Sequence, residues 1–249
     1  MKSRFFCSVS ALPILFAGPA FAADLPLKAA TPPVSVFSWT GFYAGVNVGG
    51  SWGRARSDLA ISGFANTVAV TDSVNPDGVV GGGQLGYNWQ LDPNWLIGVE
   101  ADIQASGEKA SGRPFDTVDF EGVTTNYEAK IDWFGTVRGR VGYAFDRRLL
   151  LYATGGLAYG HVALSGTSSA AFGNITNTTA FSNAATNTGW TVGGGVEGFA
   201  WNPRWTWKVE YLYLDLGSIN TAVSAGVTTT HASTRFTDNI VRAGLNYHF

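Results

Sequence analysis

Residues 240–249, IVRAGLNYHF, alternate apolar and polar side chains up to the C-terminal Phe249. In an extended chain, one face would carry Val241, Ala243, Leu245, Tyr247 and Phe249. The opposite face would carry Arg242, Gly244, Asn246 and His248. The segment therefore predicts a β-strand with one apolar and one polar face. In an exported chain, this alternation and a terminal aromatic residue are typical of strands that cross the bacterial outer membrane.

The first 22 residues have the features of a secretory signal peptide. Lys2 and Arg4 provide positive charge, an apolar run follows at 9–16, and Ala20-Phe21-Ala22 is a small-x-small cleavage site. We expect cleavage after Ala22, which also removes Cys7, the single cysteine. No later stretch approaches the roughly 20 apolar residues that a spanning helix needs. Any membrane span must therefore consist of strands.

The rest of the chain alternates strand-like segments with short and long connections. The predicted strands cover residues 40–53, 78–90, 95–106, 130–145, 149–162, 188–201, 205–217 and 237–249. Tight turns are expected at 91–94, 146–148 and 202–204, and long loops at 54–77, 107–129, 163–187 and 218–236. Strict alternation of short and long connections predicts an all-β, eight-stranded, antiparallel, up-and-down transmembrane β-barrel over residues 39–249. Residues 23–38, with three prolines, are expected to form a periplasmic N-terminal segment.

The two faces of the predicted strands favour a barrel in lipid over a soluble sandwich. In the third strand Ile97 and Val99 alternate with Glu100 and Asp102, so one face suits lipid and the other a polar interior. Two girdles of aromatic residues are predicted at the membrane interfaces, containing Trp52, Trp89, Trp95, Trp133, Trp190, Trp205 and Trp207. The seventh strand departs from the alternation at its leucines, and we expect a bulge near Leu212 to restore it.

The inward face of the predicted barrel carries acids and bases in nearly equal number. They are Glu100, Asp102, Asp132, Arg138, Arg140, Glu197, Lys208, Glu210 and Arg242. An eight-stranded barrel has room only for its own side chains or one small ligand, and buried charges must be paired. The pattern predicts a salt-bridged interior, with Glu197 opposite Lys208. The alternative is a gated ion path or a ligand site.

Other motifs give weaker indications of function. Two glycine patterns, at 81–86 and 193–198, match the dinucleotide fingerprint, but they fall inside strands and no helix follows. We interpret these glycines as space for large aromatic side chains or as points that permit curvature of the barrel. His161, His231 and His248 lack metal-ligand spacing, so neither a metal nor a cofactor is expected. His231 and Ser233 leave a lipid-modifying enzyme as a remote alternative, although no third group that would orient the histidine can be identified. The acidic balance of the chain does not suggest a nucleic-acid partner.

Several segments together resemble one protein family. They are WTGFYAGVNVGGSWG (39–53), preceded by AADLP (22–26), then GGGQLGYNWQ, LIGVEAD, WFGTVRGRVGYAF, LLYATGGLAYG, WTVGGGVEGFAW, WKVEYLYLDLG and VRAGLNYHF. Over residues 39–249 the chain resembles the small, porin-like outer-membrane β-barrel proteins of alphaproteobacteria known as outer-membrane immunogenic proteins.

This resemblance implies a location in the outer membrane and antigenic surface loops. It also implies that Phe249 belongs to a signal read by the barrel-assembly machinery. The expected partners are outer-membrane lipid and lipopolysaccharide, that machinery, and host or surface ligands. The expected function is non-enzymatic, contributing to envelope integrity and cell-surface interaction. The alternative is porin-like passage of small solutes or ions, or capture of a surface ligand. Some relatives bind haemin, but no residue of this chain carries that role over.

Overall fold

The computed structural model describes residues 38–62, 67–112, 123–145, 148–172, 175–225 and 228–249. Within these ranges the strands are β1 (Gly41–Ser62), β2 (Thr67–Val74), β3 (Asp77–Gln90), β4 (Trp95–Gly112), β5 (Val123–Phe145), β6 (Leu149–Phe172), β7 (Ile175–Phe199), β8 (Trp205–Ala225) and β9 (Thr228–His248). No helix in the described part of the chain is long and apolar enough to cross a membrane. The predicted signal peptide, its cleavage at Ala22 and residues 23–37 lie outside the described residues.

Eight of these strands close into an antiparallel barrel, which confirms the predicted fold. The strand order is β2-β1-β3-β4-β5-β6-β7-β8-β9, and β1 also pairs with β9. This pairing runs from Tyr43 opposite His248 to Ser62 opposite Thr229. β2 is an additional strand that pairs with residues 55–62 of β1. It is separated from β3 by Asn75 and Pro76, and the carbonyl of Pro76 accepts a hydrogen bond from the N–H of Gly53 at 2.7 Å.

The long connections contain much more regular structure than the sequence predicts. β6 and β7 stay paired from Leu149 opposite Gly198 up to Phe172 opposite Ile175. Most of the segment 163–187, expected to be a flexible loop, is therefore strand. Its many small and polar residues, Ser, Thr, Ala and Asn, are typical of a flexible loop. Once the hairpin is in register, however, each backbone group finds its partner in the ladder, whatever the polarity of the side chain.

Beyond the barrel, these strand extensions separate into two sheets. The β7–β8 ladder ends at Trp190 opposite Asp215, and the β3–β4 ladder ends at Asp77 opposite Lys109. Past these points β8, β9, β1 and β2 continue as one set of paired strands, and β4, β5, β6 and β7 as another. At the end of the barrel opposite the tight turns, the strands thus extend as two protruding sheets.

The tight turns are stabilised locally by side chains. In the first turn, Asp92 Oδ1 accepts hydrogen bonds from the N–H groups of Asn94 and Trp95, both at 2.8 Å. These bonds favour the carboxylate and lower the pKa of Asp92. In the turn before β8, Asn202 Oδ1 accepts from the N–H of Arg204 at 2.9 Å. Asx side chains of this kind form short turns without help from the rest of the fold.

The outer face of the barrel is apolar and has aromatic residues at both ends. Large exposed hydrophobic side chains from the strands include Val46, Val48, Leu85, Ile97, Val99, Ile103, Val137, Val141, Leu151, Leu157, Val192 and Val209. At the tight-turn end, Trp95 lies against Tyr143 and Trp205 against Tyr247, with ring centroids 5.2 Å apart in both pairs. At the other end, Trp190 contacts Tyr213 at 5.4 Å. An apolar band between two aromatic belts is the surface that a bilayer requires.

Candidate functional site

The barrel interior contains a layer of charged side chains from five strands. Eight of the nine predicted interior charges lie there, each at most 5% exposed: Glu100, Asp102, Arg138, Arg140, Glu197, Lys208, Glu210 and Arg242. Their strands bring opposite charges face to face, because Glu100 is the register partner of Arg138, Glu197 of Lys208, and Glu210 of Arg242. These eight residues, which we call the charged layer, comprise four acids and four bases.

Arg138 lies at the centre of the charged layer. Its guanidinium hydrogen-bonds Glu100, Asp102 Oδ2 at 3.0 Å and Glu210 Oε1 at 3.0 Å. Arg242 binds two of the same carboxylates through Nη2, at 2.9 Å to Asp102 Oδ2 and 2.6 Å to Glu210 Oε2. Asp102 and Glu210 are thus each shared between the two guanidinium groups. This arrangement compensates for the removal of the charges from water.

Lys208 and Arg140 complete the network. Lys208 Nζ donates to both carboxylate oxygens of Glu100, at 3.0 and 3.1 Å. Arg140 pairs with Glu197 at 2.8 Å and lies over the ring of Tyr152, 4.1 Å from its centroid. Tyr43 connects the two pairs, because its hydroxyl donates to Glu100 at 2.7 Å and accepts from Arg140 at 2.9 Å. The charged layer is therefore one connected network.

Asp132, the ninth residue expected in the interior, is on the outside. Between Ile131 and Trp133 the β5–β6 register shifts at a bulge. The bulge reverses the alternation, so Ile131 is buried and Asp132 is exposed. Period-two alternation fails wherever an extra residue enters a strand. Removing Asp132 from the set leaves the charged layer balanced.

The bulge in β8 is also displaced from its predicted position. The register shifts between Asp215 and Ser218, an interval that contains Leu216 and Gly217, rather than near Leu212. Leu212, Leu214 and Leu216 consequently all point inward and are at most 2% exposed. Gly217, inside the bulge, has φ +72°, a conformation that glycine adopts without strain. The predicted position of the bulge is therefore wrong, and this part of the interior is apolar.

Apolar layers lie on both sides of the charged layer. On the side of the long hairpins, the three leucines pack in a cluster with Val80, Ile131, Phe134, Ala158, Val162, Phe236 and Ile240. On the side of the tight turns, a second cluster contains Trp39, Leu96, Ala144, Leu150 and Tyr152, with Phe199 packed against it. The order along β5 shows the arrangement, since Ala144 is followed towards the hairpins by Arg140, Arg138 and Phe134. Trp39 is 1% exposed and lies inside the barrel.

Several interior polar residues were not identified from the sequence. Tyr43 and Tyr152 belong to the network, and Glu108 and Asp238 are buried at 1% and 2% exposure. Asp238 could have been predicted, because it lies at an inward position of β9, two residues before Ile240 and four residues before Arg242. Glu108 falls after a register shift in β4, in a segment that was expected to be a loop. No group of three or more metal-ligating side chains occurs among the described residues.

Two glycines of these patterns, Gly86 and Gly195, leave space for large interior aromatic side chains, as the sequence predicts. A Cβ atom on Gly86 would lie 2.3 Å from the Tyr43 hydroxyl, and one on Gly195 would lie 2.7 Å from the Tyr152 hydroxyl. The two glycine patterns that resemble a dinucleotide fingerprint lie within β3 and β7. Neither pattern leads into a helix, which nucleotide binding by that motif requires.

The remaining predicted positions fall at different places on the barrel. Trp52, Trp89, Trp95, Trp190 and Trp207 are 38–50% exposed on the outer face, and Trp133 and Trp205 are partly exposed there. His161 stacks on Trp133 at 6.1 Å, whereas His248 is buried and contacts Glu197 at 3.4 Å. The side chain of His231 lies outside those that the structure describes. Phe249 is 79% exposed, and its N–H donates to the carbonyl of Phe42 at 3.1 Å.

Comparison with known proteins places this geometry in context. The family model described as "Outer membrane protein beta-barrel domain" matches residues 11–249. The 31 kDa outer-membrane immunogenic protein of Brucella melitensis biotype 1 is 38% identical over 255 aligned residues, which cover 100% of both chains. The 22 kDa outer membrane protein of Rhizobium leguminosarum bv. viciae is 33% identical, over 92% of this chain and 83% of its own. The crystal structure of OprG from Pseudomonas aeruginosa matches with a TM-score of 0.44 and 14% identity, covering 84% of this chain and 97% of OprG.

Proposed function

Because this chain belongs to the family of outer membrane protein β-barrel domains, we propose that it is a non-enzymatic, closed barrel that supports envelope integrity and cell-surface contact. Its location is the outer membrane. The long paired hairpins are the part of the barrel available to the outside. Relatives named outer-membrane immunogenic proteins support the surface exposure of these hairpins in this chain.

The filled interior is the observation that carries the proposal. Any ion entering the barrel would have to pass the apolar cluster around Phe134 and Leu214, then the charged layer, then the cluster around Trp39 and Leu150. Apolar constrictions oppose the passage of water and ions. The charged layer offers no free carboxylate to a cation, since each of its acids already binds a base at hydrogen-bond distance. Porin-like passage is therefore the less favoured function.

Conductance in planar bilayers tests the closed barrel. We expect the reconstituted wild-type protein to show no steady, discrete conductance steps. Phe134→Ala combined with Leu214→Ala removes apolar side chains beside the charged layer and should raise the frequency of brief openings. Steady steps in the wild type that disappear in Arg138→Gln would instead support an ion path through the charged layer.

A deletion strain tests the role in the envelope. We expect loss of the gene to increase sensitivity to detergents and to large antibiotics that an intact outer membrane excludes. Complementation should require a folded barrel but no catalytic group, so Ser233→Ala should restore resistance as well as the wild type. Unchanged sensitivity of the deletion strain would reject an envelope role, and failure of Ser233→Ala alone would revive the lipid-modifying enzyme.

A further inference from the structure

Three arginines lie together on the outer face, directly beyond the aromatic belt at the hairpin end. Trp52, Arg54 and Arg56 occupy successive outward positions of β1 and are all exposed. Arg56 is the register partner of Arg235 on β9, and Trp52 is the partner of Asn239. Arg235 is also exposed, so Arg54, Arg56 and Arg235 form one surface, which we call the arginine patch.

The strand geometry determines where the arginine patch lies relative to the membrane interface. Outward positions on a strand are about 7 Å apart. Arg54 therefore lies one such step beyond Trp52, and Arg56 lies two steps beyond it. Tryptophan in an aromatic belt marks the boundary between acyl chains and headgroups. The arginine patch is thus at the level of the lipid headgroups in the outer leaflet.

The charges of the arginine patch are only partly neutralised by the protein. Arg54 has no ion-pair partner among the described residues. Arg56 has one contact, 3.6 Å to Asp58, in which both side chains are more than half exposed, and such pairs are weak. Arg235 bonds the buried carboxylate of Asp215 at 2.5 Å. This bond holds Arg235 in place while its side chain remains 60% exposed.

The rim of the barrel near β4 and β5 has a different charge pattern. Lys109 and Lys130 are register partners there, but Asp77 is the partner of Lys109, and Lys130 binds Glu128 at 3.1 Å. Asp132 lies on the same outer face of β5. Asp77 is also the register partner of Trp52, so it lies between this rim and the arginine patch. Both lysines of this rim thus have an acid beside them, whereas Arg54 has no ion-pair partner among the described residues.

We propose that the arginine patch binds the phosphate groups of phosphorylated glycolipid in the outer leaflet, with Trp52 packed against the adjoining acyl chain. Guanidinium groups bind phosphate through two parallel hydrogen bonds. Basic clusters at a membrane surface recognise anionic headgroups in the same way. The inference deepens the proposed envelope role and rests on it, because a barrel that holds lipopolysaccharide at its rim strengthens the lateral packing of the outer leaflet.

Lipid binding to purified protein tests this site. Wild type, Arg54→Gln/Arg56→Gln and the matched control Lys109→Gln/Lys130→Gln are titrated in mild detergent with bisphosphorylated lipid A and with its dephosphorylated form. Bound lipid is counted by native mass spectrometry. Heat-modifiable gel mobility verifies that each variant is folded. Arg235 is left intact, because its loss would also leave Asp215 unpaired.

We expect the Arg54→Gln/Arg56→Gln variant to bind bisphosphorylated lipid A about 25-fold more weakly, since each basic residue near a membrane surface contributes about a factor of five. Its affinity for the dephosphorylated lipid, and both affinities of the lysine control, should match the wild type. Equal binding by all three proteins, or equal wild-type affinity for the two lipids, would refute the site. Displacement of the lipid by millimolar inorganic phosphate would show a general phosphate site and would also reject the glycolipid.

The experiments can reject the lipid-binding site and the envelope role independently of each other. If lipid binding is unaffected by the arginine substitutions but the deletion strain is sensitive, the site is wrong and the envelope role stands. If lipid binding behaves as expected but the deletion strain is resistant, the barrel binds glycolipid without supporting the envelope.

Discussion

Burial separates Asp102 from Asp132, two carboxylates that alternation alone assigns to the same face. Asp102 accepts hydrogen bonds from Thr136 at 2.7 Å, Arg242 at 2.9 Å and Arg138 at 3.0 Å. Asp132 is exposed at a bulge. Removing one member of a buried ion pair leaves its partners charged and unpaired, whereas water replaces the partners of an exposed carboxylate.

Asp102→Asn should therefore lower the free energy of unfolding by about 3–5 kcal/mol. Asp132→Asn, the same substitution at an exposed site, should change it by no more than about 0.5 kcal/mol. Urea unfolding in lipid vesicles, followed by gel mobility, measures both. Similar losses in the two variants would contradict the placement of Asp132 outside the network.

The outer face can be tested at one residue of the apolar band. Val99 is 49% exposed and lies between the aromatic belts, so Val99→Arg places a charge in the hydrocarbon region. We expect a loss of about 2–4 kcal/mol in the same unfolding measurement. Leu91→Arg is the control, because Leu91 is exposed in the first tight turn and a charge near the interface should cost only about 0–1 kcal/mol. A neutral Val99→Arg would place the bilayer elsewhere.

Among the elements, β8 determines how the interior divides into layers. Four successive inward positions of β8 change from charged to apolar: Lys208, Glu210, Leu212 and Leu214. The bulge comes after Leu214 and contains Leu216 and Gly217, and all three leucines remain buried inside the barrel. One strand thus supplies both the charged layer and the apolar layer that covers it.

Gly217→Ala should destabilise the barrel by about 1–2 kcal/mol, because a Cβ atom is strained at the left-handed φ of this residue. Gly139→Ala is the control, since the nearest atom to its added Cβ would be the Gly155 carbonyl oxygen at 3.9 Å. Thermal shifts of heat-modifiable mobility compare the two. If Gly139→Ala proves the more harmful, the bulge does not depend on the conformation of Gly217.

At the scale of the whole molecule, the barrel closes where its ends meet. β1 and β9 pair along their length, and Phe249 extends past β9 with its ring 5.2 Å from that of Tyr247. The last strand thus forms the final ladder and presents an exposed aromatic residue beside it. Because the ring of Phe249 is exposed, we expect this residue to act in assembly of the barrel rather than in its stability after folding.

Deletion of Phe249 should lower insertion into the outer membrane without changing export, because the expected signal peptide is untouched and the ring contributes little buried area. Cell fractionation with a surface-labelling assay measures the inserted fraction, and Tyr247→Ala controls for loss of a neighbouring aromatic residue. Normal surface levels after the deletion would exclude Phe249 as an assembly signal.

The barrel, its membrane face and most of its charged layer can be predicted from local sequence patterns. Alternation with a period of two assigns faces wherever a strand is regular, as in the stretch from Trp95 to Gln104, and Asx residues such as Asp92 form their turns locally. These signals depend only on near neighbours in the chain.

The positions of the bulges, the division of the interior into layers and the length of the hairpins become visible only in the tertiary structure. A bulge forms where two strands need different numbers of residues between shared contacts, which a single strand does not reveal. For this reason Asp132 and the leucines of β8 were misplaced. The extension of β6 and β7 to Phe172 and Ile175 likewise depends on pairing between strands. The arginine patch also arises only when the ladder places Arg235 beside Arg56, 179 positions away in the chain.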